Sequence, residues 1–256
     1  MLKVTLSTKV YSDFQTEIVN KSLKTMLKGL NAKAEVVGTT SRGLVKVAIS
    51  GEDENVALQY LADEIGICPE NLDDVKKFST LEGRITALGK SKSEIYVDMG
   101  VHSPTIIDAV IPLQHLQAQL ADGRKIALKK LVELFGFCEN LPLTIKILDV
   151  DKGKNYIDAA LSEEQLNKYK VWTKSLLDRL IVIGSSENEI KLALKEAGLK
   201  RDVIAVEPLG FFEHAITCKF GTDAAGLIAK VGRKLPKASL TIFSPRKIME
   251  LLGNIS

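Results

Sequence analysis

The sequence predicts an α+β protein: a small N-terminal α/β sandwich (residues 1–75), a five-stranded β-barrel (76–162), a helical connector (163–202) and a C-terminal α+β domain (203–256). Three observations carry this reading. Apolar residues in the first 75 positions switch between period two and period 3.6 in the order β-α-β-β-α. The next stretch holds five short strand patterns broken by one basic helical segment, and after Val203 the period returns to two. A chain of 256 residues with 45% hydrophobic content can bury more than one core.

In the first segment Leu2, Val4 and Leu6 alternate with polar residues, and Ile18, Leu23, Met26, Leu27 and Leu30 follow helical spacing up to a stop at Gly29 and Asn31. Ala34–Val37 and Leu44–Ile49 flank Gly38-Thr39-Thr40-Ser41-Arg42-Gly43, which reads as a hairpin connection. Glu52, Asp53 and Glu54 suit the start of a helix running through Val56, Leu58, Leu61 and Ile65.

The barrel strands are expected at Leu81-Glu82-Gly83-Arg84-Ile85-Thr86-Ala87, Glu94–Gly100, Asp108–Pro112, Leu143–Val150 and Asn155–Ser162. Asp149, Asp151 and Asp158 form an acidic group, but Asp151-Lys152-Gly153-Lys154-Asn155 reads most simply as a hairpin turn. Between the third and fourth strands Arg124, Lys125, Lys129 and Lys130 lie beside Ile126, Leu128, Leu131, Val132 and Phe135, an apolar stripe with a basic flank.

The order of these runs, with a glycine-led first strand, the aromatic-Val-Asp of Tyr96-Val97-Asp98 and a Leu161-Ser162 exit, resembles the S-one type of OB-fold domain. That resemblance implies binding of single-stranded RNA. The loop Gly89-Lys90-Ser91-Lys92-Ser93 then occupies the position from which such barrels reach nucleic acid. Lys90, Lys92 and an outward Arg84 are expected at phosphates, as are Arg124, Lys125, Lys129 and Lys130. Tyr96 reads either as core or as a platform for a base.

Residues 163–202 read as helical, first Glu163–Ile183 through Leu166, Tyr169, Trp172, Leu176, Leu177 and Leu180. A second helix opens with a Ser186/Glu189 capping box and closes at Gly198. Trp172 reads as interdomain packing. Beyond Val203, Phe212, His214, Ile216, Cys218 and Phe220 share one strand face, so His214 should be buried, while Glu213, Ala215, Thr217 and Lys219 share the other. A helix over Thr222–Leu235, a strand over Ala238–Phe243 and a helix over Pro245–Leu252 complete the chain. Thr222 and Asp223 read as capping residues. Lys230, Arg233, Lys234 and Lys237 gather on one helix side, either a solvated face or a further contact with an RNA backbone.

The charge balance is 35 basic against 32 acidic residues, a net of +3, so a nucleic-acid site must be a local patch. Cys68, Cys138 and Cys218 form no CxxC pair and read as small buried hydrophobes. No run of apolar residues is long enough to span a bilayer, and the opening Met1–Leu6 reads as a strand rather than a signal peptide, so a cytoplasmic protein is expected. There is no Walker loop, dinucleotide fingerprint, HExxH or GxSxG, and His102, His115 and His214 lack a neighbouring nucleophile. No catalytic residue, cofactor or metal is expected.

Phe212-Glu213-His214, Gly221-Thr222-Asp223-Ala224 and Ser244-Pro245-Arg246-Lys247 make the whole chain resemble an archaeal family known as a domain of unknown function. The sequence therefore predicts a non-enzymatic RNA-binding protein acting on ribosomal or other structured RNA in translation. The alternative is a protein-interaction module in a ribosomal or transcription assembly, with an RNA-processing enzyme as a third reading.

Overall fold

The computed structural model describes residues 1–103 and 105–253. They form two compact units: Met1–Val75 with Met99–Ile107, and Lys76–Asp98 with the chain from Asp108 onward.

In the first unit, β1 (Leu2–Lys9), α1 (Asp13–Met26), β2 (Ala32–Thr39), β3 (Leu44–Gly51) and α2 (Glu54–Glu64) follow one another as the sequence predicts. The sheet order is β1-β3-β2, with β3 antiparallel to both neighbours. Leu6, Val19, Leu23, Val45, Val47, Ile49, Ala57 and Leu61 are wholly buried, contributed by β1, α1, β3 and α2, and β2 adds Ala34 at 2% exposure. The segment after Asp98 adds Met99 and Val101 to the buried set, and His102 N–H and Ser103 N–H both donate to the Glu70 carbonyl.

The second unit opens with the expected barrel: β4 (Thr80–Thr86), β5 (Glu94–Asp98), β6 (Ala109–Pro112), β7 (Pro142–Asp151) and β8 (Tyr156–Leu161). It closes in the order β4-β5-β6-β8-β7, with β7 pairing back onto β4. The β6–β8 pair is parallel and the other pairs are antiparallel. Ile85, Ile95, Val97, Ile111, Ile145, Ile147 and Ile157 fill its interior at 2% exposure or less, the inward half of each alternation. Lys154 N–H donates to Asp151 Oδ1 at 3.1 Å, so the acidic stretch before β8 is the expected hairpin turn. Two helices, α3 (Leu113–Leu120) and α4 (Leu128–Phe135), connect β6 to β7.

Beyond the barrel come α5 (Glu163–Lys174), β9 (Arg179–Ile183), α6 (Glu187–Glu196), β10 (Val203–Pro208), β11 (Glu213–Cys218), α7 (Ala224–Lys234), β12 (Ser239–Phe243) and α8 (Pro245–Leu252). From β9 to β12 this is a split βαββαβ unit with sheet order β10-β11-β9-β12, antiparallel throughout. The helix expected over 163–183 is therefore corrected. It ends at Lys174, Leu176 turns into the left-handed region at φ 57, and Arg179–Ile183 becomes a strand between β11 and β12. All five residues of β9 are buried, which removes the alternation that marks a half-exposed strand.

The two faces of this sheet do different work. Leu180, Val182, Ile216 and Cys218 pack under α6 and α7 with Ile190, Leu194, Leu227 and Val231. On the opposite face Phe243 stacks on Tyr169 at 5.9 Å between ring centroids and meets Trp172 edge-on at 5.2 Å, and Phe135 from α4 joins them. Trp172, at 4% exposure, is packing, as expected. Gly136, with φ 64, ends α4 in this layer; a Cβ there would stand 2.8 Å from the Ile242 carbonyl oxygen. Phe220 departs from expectation, because β11 stops at Cys218 and the ring is 74% exposed.

Candidate nucleic-acid interface

The strands of the barrel place Tyr96 on its outer side, since its neighbours Ile95 and Val97 point into the core. The Tyr96 hydroxyl donates to Glu94 Oε1, and that hydrogen bond holds its phenol pKa above the usual value. Lys90 Nζ lies 5.4 Å from the ring centroid, a cation–π placement that links Tyr96 to the loop between β4 and β5. Tyr156, a second aromatic at the start of β8, is 39% exposed; burial and then Asp158 and Glu94 push its pKa upward.

This outer face carries Glu94 and Asp158 as well as the rings, so it is not a cationic surface. Positive charge stands at its border instead. The β4–β5 loop is held at one end by Lys90 N–H on the Ala87 carbonyl and by Leu88 N–H on the Glu139 carboxylate, and at the other by Leu113 N–H on the Ser93 carbonyl. So anchored, its Leu88, Gly89, Ser91 and Lys92 face Ala127, Leu128, Lys129 and Val132 across a cleft of about 480 Å³. Its lining is mainly aliphatic, with Lys92 contributed by the loop and Lys129 by α4.

The cleft joins two patches that lie about 40 residues apart in the sequence, the loop lysines and the basic flank of α4. Lys90, Lys92, Lys125 and Lys129 are exposed. Lys130, half-buried, pairs with Glu133 at 3.2 Å. Arg124 turns towards α8 and donates to the Leu251 carbonyl at 3.3 Å.

Arg84 requires a correction. It does point away from the barrel interior, but into protein: it is 6% exposed, and its Nη1 lies 3.0 Å from Oε1 of Glu213, which is fully buried. A phosphate cannot reach it there. Gly210 makes room for that pair, since a Cβ would collide with the Glu213 carboxylate.

Lys230, Arg233, Lys234 and Lys237 sit together on the exposed side of α7 and the turn after it, with Lys234 Nζ 3.1 Å from Glu196 Oε2. They do not line the cleft. Asp223 caps α7 by accepting from Ala225 N–H at 2.9 Å, as expected. His214 is buried at 3% exposure, and desolvation holds its pKa below the usual imidazole value. Cys68 and Cys218 are buried, and the half-buried Cys138 thiol is pushed up to about 12 by desolvation.

Sequence placed Leu128 and Val132 in an apolar stripe but not in a site, and it did not single out Leu88 or Tyr156. One signal lay in view: Leu88 is an apolar residue in an otherwise polar loop, which a purely solvated connection does not need.

Among solved structures, an uncharacterised protein of Methanocaldococcus jannaschii is 11% identical, with 35% of this chain and 95% of that chain covered and a TM-score of 0.25. A chain from the a/eIF2alpha–aDim2p–rRNA complex of Pyrococcus horikoshii is 14% identical over 50% of this chain and 70% of its own, with a TM-score of 0.27. The intact alpha subunit of aIF2 from Pyrococcus abyssi is 11% identical over 66% and 97%, with a TM-score of 0.26. No curated protein matches the chain. The family comparison is of a different order: the DUF2110 N-terminal domain matches residues 3–70, the DUF2110 central domain 75–173 and the DUF2110 C-terminal domain 177–243. Matched along almost its whole length in the proper domain order, the chain belongs to the DUF2110 family.

Proposed function

We propose that this protein binds RNA without catalysing a reaction on it, and that the barrel, read as an OB fold of the S-one type, is the binding element. The observation that carries the reading is the cleft. Its mainly aliphatic lining includes Lys92 from the loop and Lys129 from α4, and Lys90 of the same loop stands over the ring of Tyr96 in β5. Lysines meet phosphates without reading sequence, while an apolar lining and an aromatic ring accept an unstacked base.

The strand order supports the same reading. A closed β4-β5-β6-β8-β7 barrel with a parallel third-to-fifth strand pair and helices between the third and fourth strands is the arrangement that an OB fold requires. In such barrels the second and third strands and the first loop are the usual binding surface. Pockets for splayed bases suit loops and bulges rather than regular duplex, so structured RNA with unpaired segments, ribosomal RNA foremost, is the substrate class we assign.

Fluorescence anisotropy with a labelled single-stranded RNA, followed from 50 to 300 mM salt, tests the proposal. The expected result is saturable binding whose log K falls linearly with log salt, by about 0.7 per phosphate contact. No binding at 50 mM salt would reject it and favour a protein-interaction module.

A further inference from the structure

Three segments meet at a second pocket, of about 310 Å³: the turn after α5, the loop from β11 to α7 and the start of α8. One of its exposed side chains is aromatic. Phe220, 74% exposed, follows a strand whose six residues are all buried, and the Arg246 guanidinium carbon lies 5.9 Å from its ring centroid. Lys219 and Lys247 line the same pocket. On its wall Leu176, 41% exposed, holds a left-handed φ of 57, a conformation that costs a Leu side chain energy and is found where surrounding structure imposes it.

Three carboxylates also border the pocket, and two are committed elsewhere. Asp178 accepts from Ser244 Oγ at 2.9 Å and from Ala224 N–H at 3.4 Å, while Asp223 caps α7. Hydrogen bonds from neutral donors leave both charged, so the three carboxylates equal the three cations in number, and it is beside the Phe220 ring, where Arg246 stands, that the pocket presents a cation. Because Ser244 turns to Asp178, its side chain does not cap α8, whose first-turn N–H groups open beside Arg246 and Lys247. A lone exposed phenylalanine needs no explanation, but one with a guanidinium beside its ring in a cavity this size matches a ligand that is aromatic at one end and anionic at the other.

We propose that this pocket binds a nucleotide, its base against Phe220 and its phosphate at Arg246, Lys247 and Lys219. The nucleotide is either free or an unpaired residue of an RNA strand. No residue of the barrel cleft takes part, so this site and the RNA-binding reading can fail separately.

Titration calorimetry on the full chain tests it with two probes, adenosine 5′-monophosphate and single-stranded hexa-adenylate, the latter on a Lys90→Glu/Lys92→Glu/Lys129→Glu background to remove the cleft's contribution. Saturable binding of at least one probe is expected. Phe220→Ala should raise its Kd at least about fivefold, the lower end of what loss of one base–aromatic stack costs. Phe220→Tyr should restore it, and Arg246→Ala/Lys247→Ala should weaken binding and flatten its salt dependence. Binding of the monophosphate identifies a free nucleotide; binding of hexa-adenylate alone identifies a strand. Phe220 is too exposed for its loss to unfold the domain, and an unchanged melting temperature checks this. Saturation by neither probe, or a Phe220→Ala variant that binds as tightly as wild type, overturns the proposal.

Discussion

Replacing Arg84 by Ala leaves the Glu213 carboxylate buried without the guanidinium 3.0 Å away. Removal of one partner of such a pair costs about 3–5 kcal/mol, whereas the Arg84→Met/Glu213→Gln double variant should lose much less. Denaturant unfolding of the three proteins checks this, and RNA affinity of a folded Arg84 variant should be unchanged. His214 is a second buried polar residue, and its folded pKa is depressed chiefly by desolvation. The unfolded chain therefore takes up the proton more readily than the folded one. The contribution of the neutral ring is complete above the unfolded value of about 6.5 and is lost as pH falls towards the folded value. Melting temperature measured against pH should show a decline below about 6.5 that His214→Phe weakens, and His214→Ala should cost about 1–4 kcal/mol at neutral pH. Sequence read this histidine correctly because period-two spacing on a strand fixes which side it faces. It could not read Arg84, whose outward position from the barrel is covered by a strand about 130 residues later.

At the scale of elements, periodicity succeeded where each element buries one face. The hairpin before β3, the Ser186/Glu189 capping box, the cap at Asp223 and the strand–helix ending from β12 to α8 all stand where spacing and turn residues put them. It failed at β9. Leu176, Leu177 and Leu180 continue the helical spacing of α5, and a strand covered on both faces shows no alternation to contradict them; only the run Leu180-Ile181-Val182-Ile183 before Gly184 favoured a strand. The sheet built around β9 depends on the aromatic layer beneath it. Phe243→Ala, which empties a site bounded by Phe135, Tyr169 and Trp172, should cost about 3–5 kcal/mol in chemical denaturation. By contrast, replacing Lys230, Arg233, Lys234 and Lys237 together by Ala should change stability by less than about 1 kcal/mol, because an exposed pair such as Lys234–Glu196 contributes little.

For the molecule as a whole, the barrel was legible because five strands, their turns and one basic insertion recur in an order few folds share. The cleft was not, since it exists only when α4 folds back against the β4–β5 loop, and no local pattern records that approach. The central claim is that this cleft grips RNA backbone. The salt dependence of RNA affinity in the Lys90→Glu/Lys92→Glu/Lys129→Glu variant tests it most directly. If the three lysines contact three phosphates, the variant should bind weakly on every sequence tried, and its log K against log salt slope should be shallower by about 2. Affinity and slope equal to wild type would contradict the account and move the interface off the barrel.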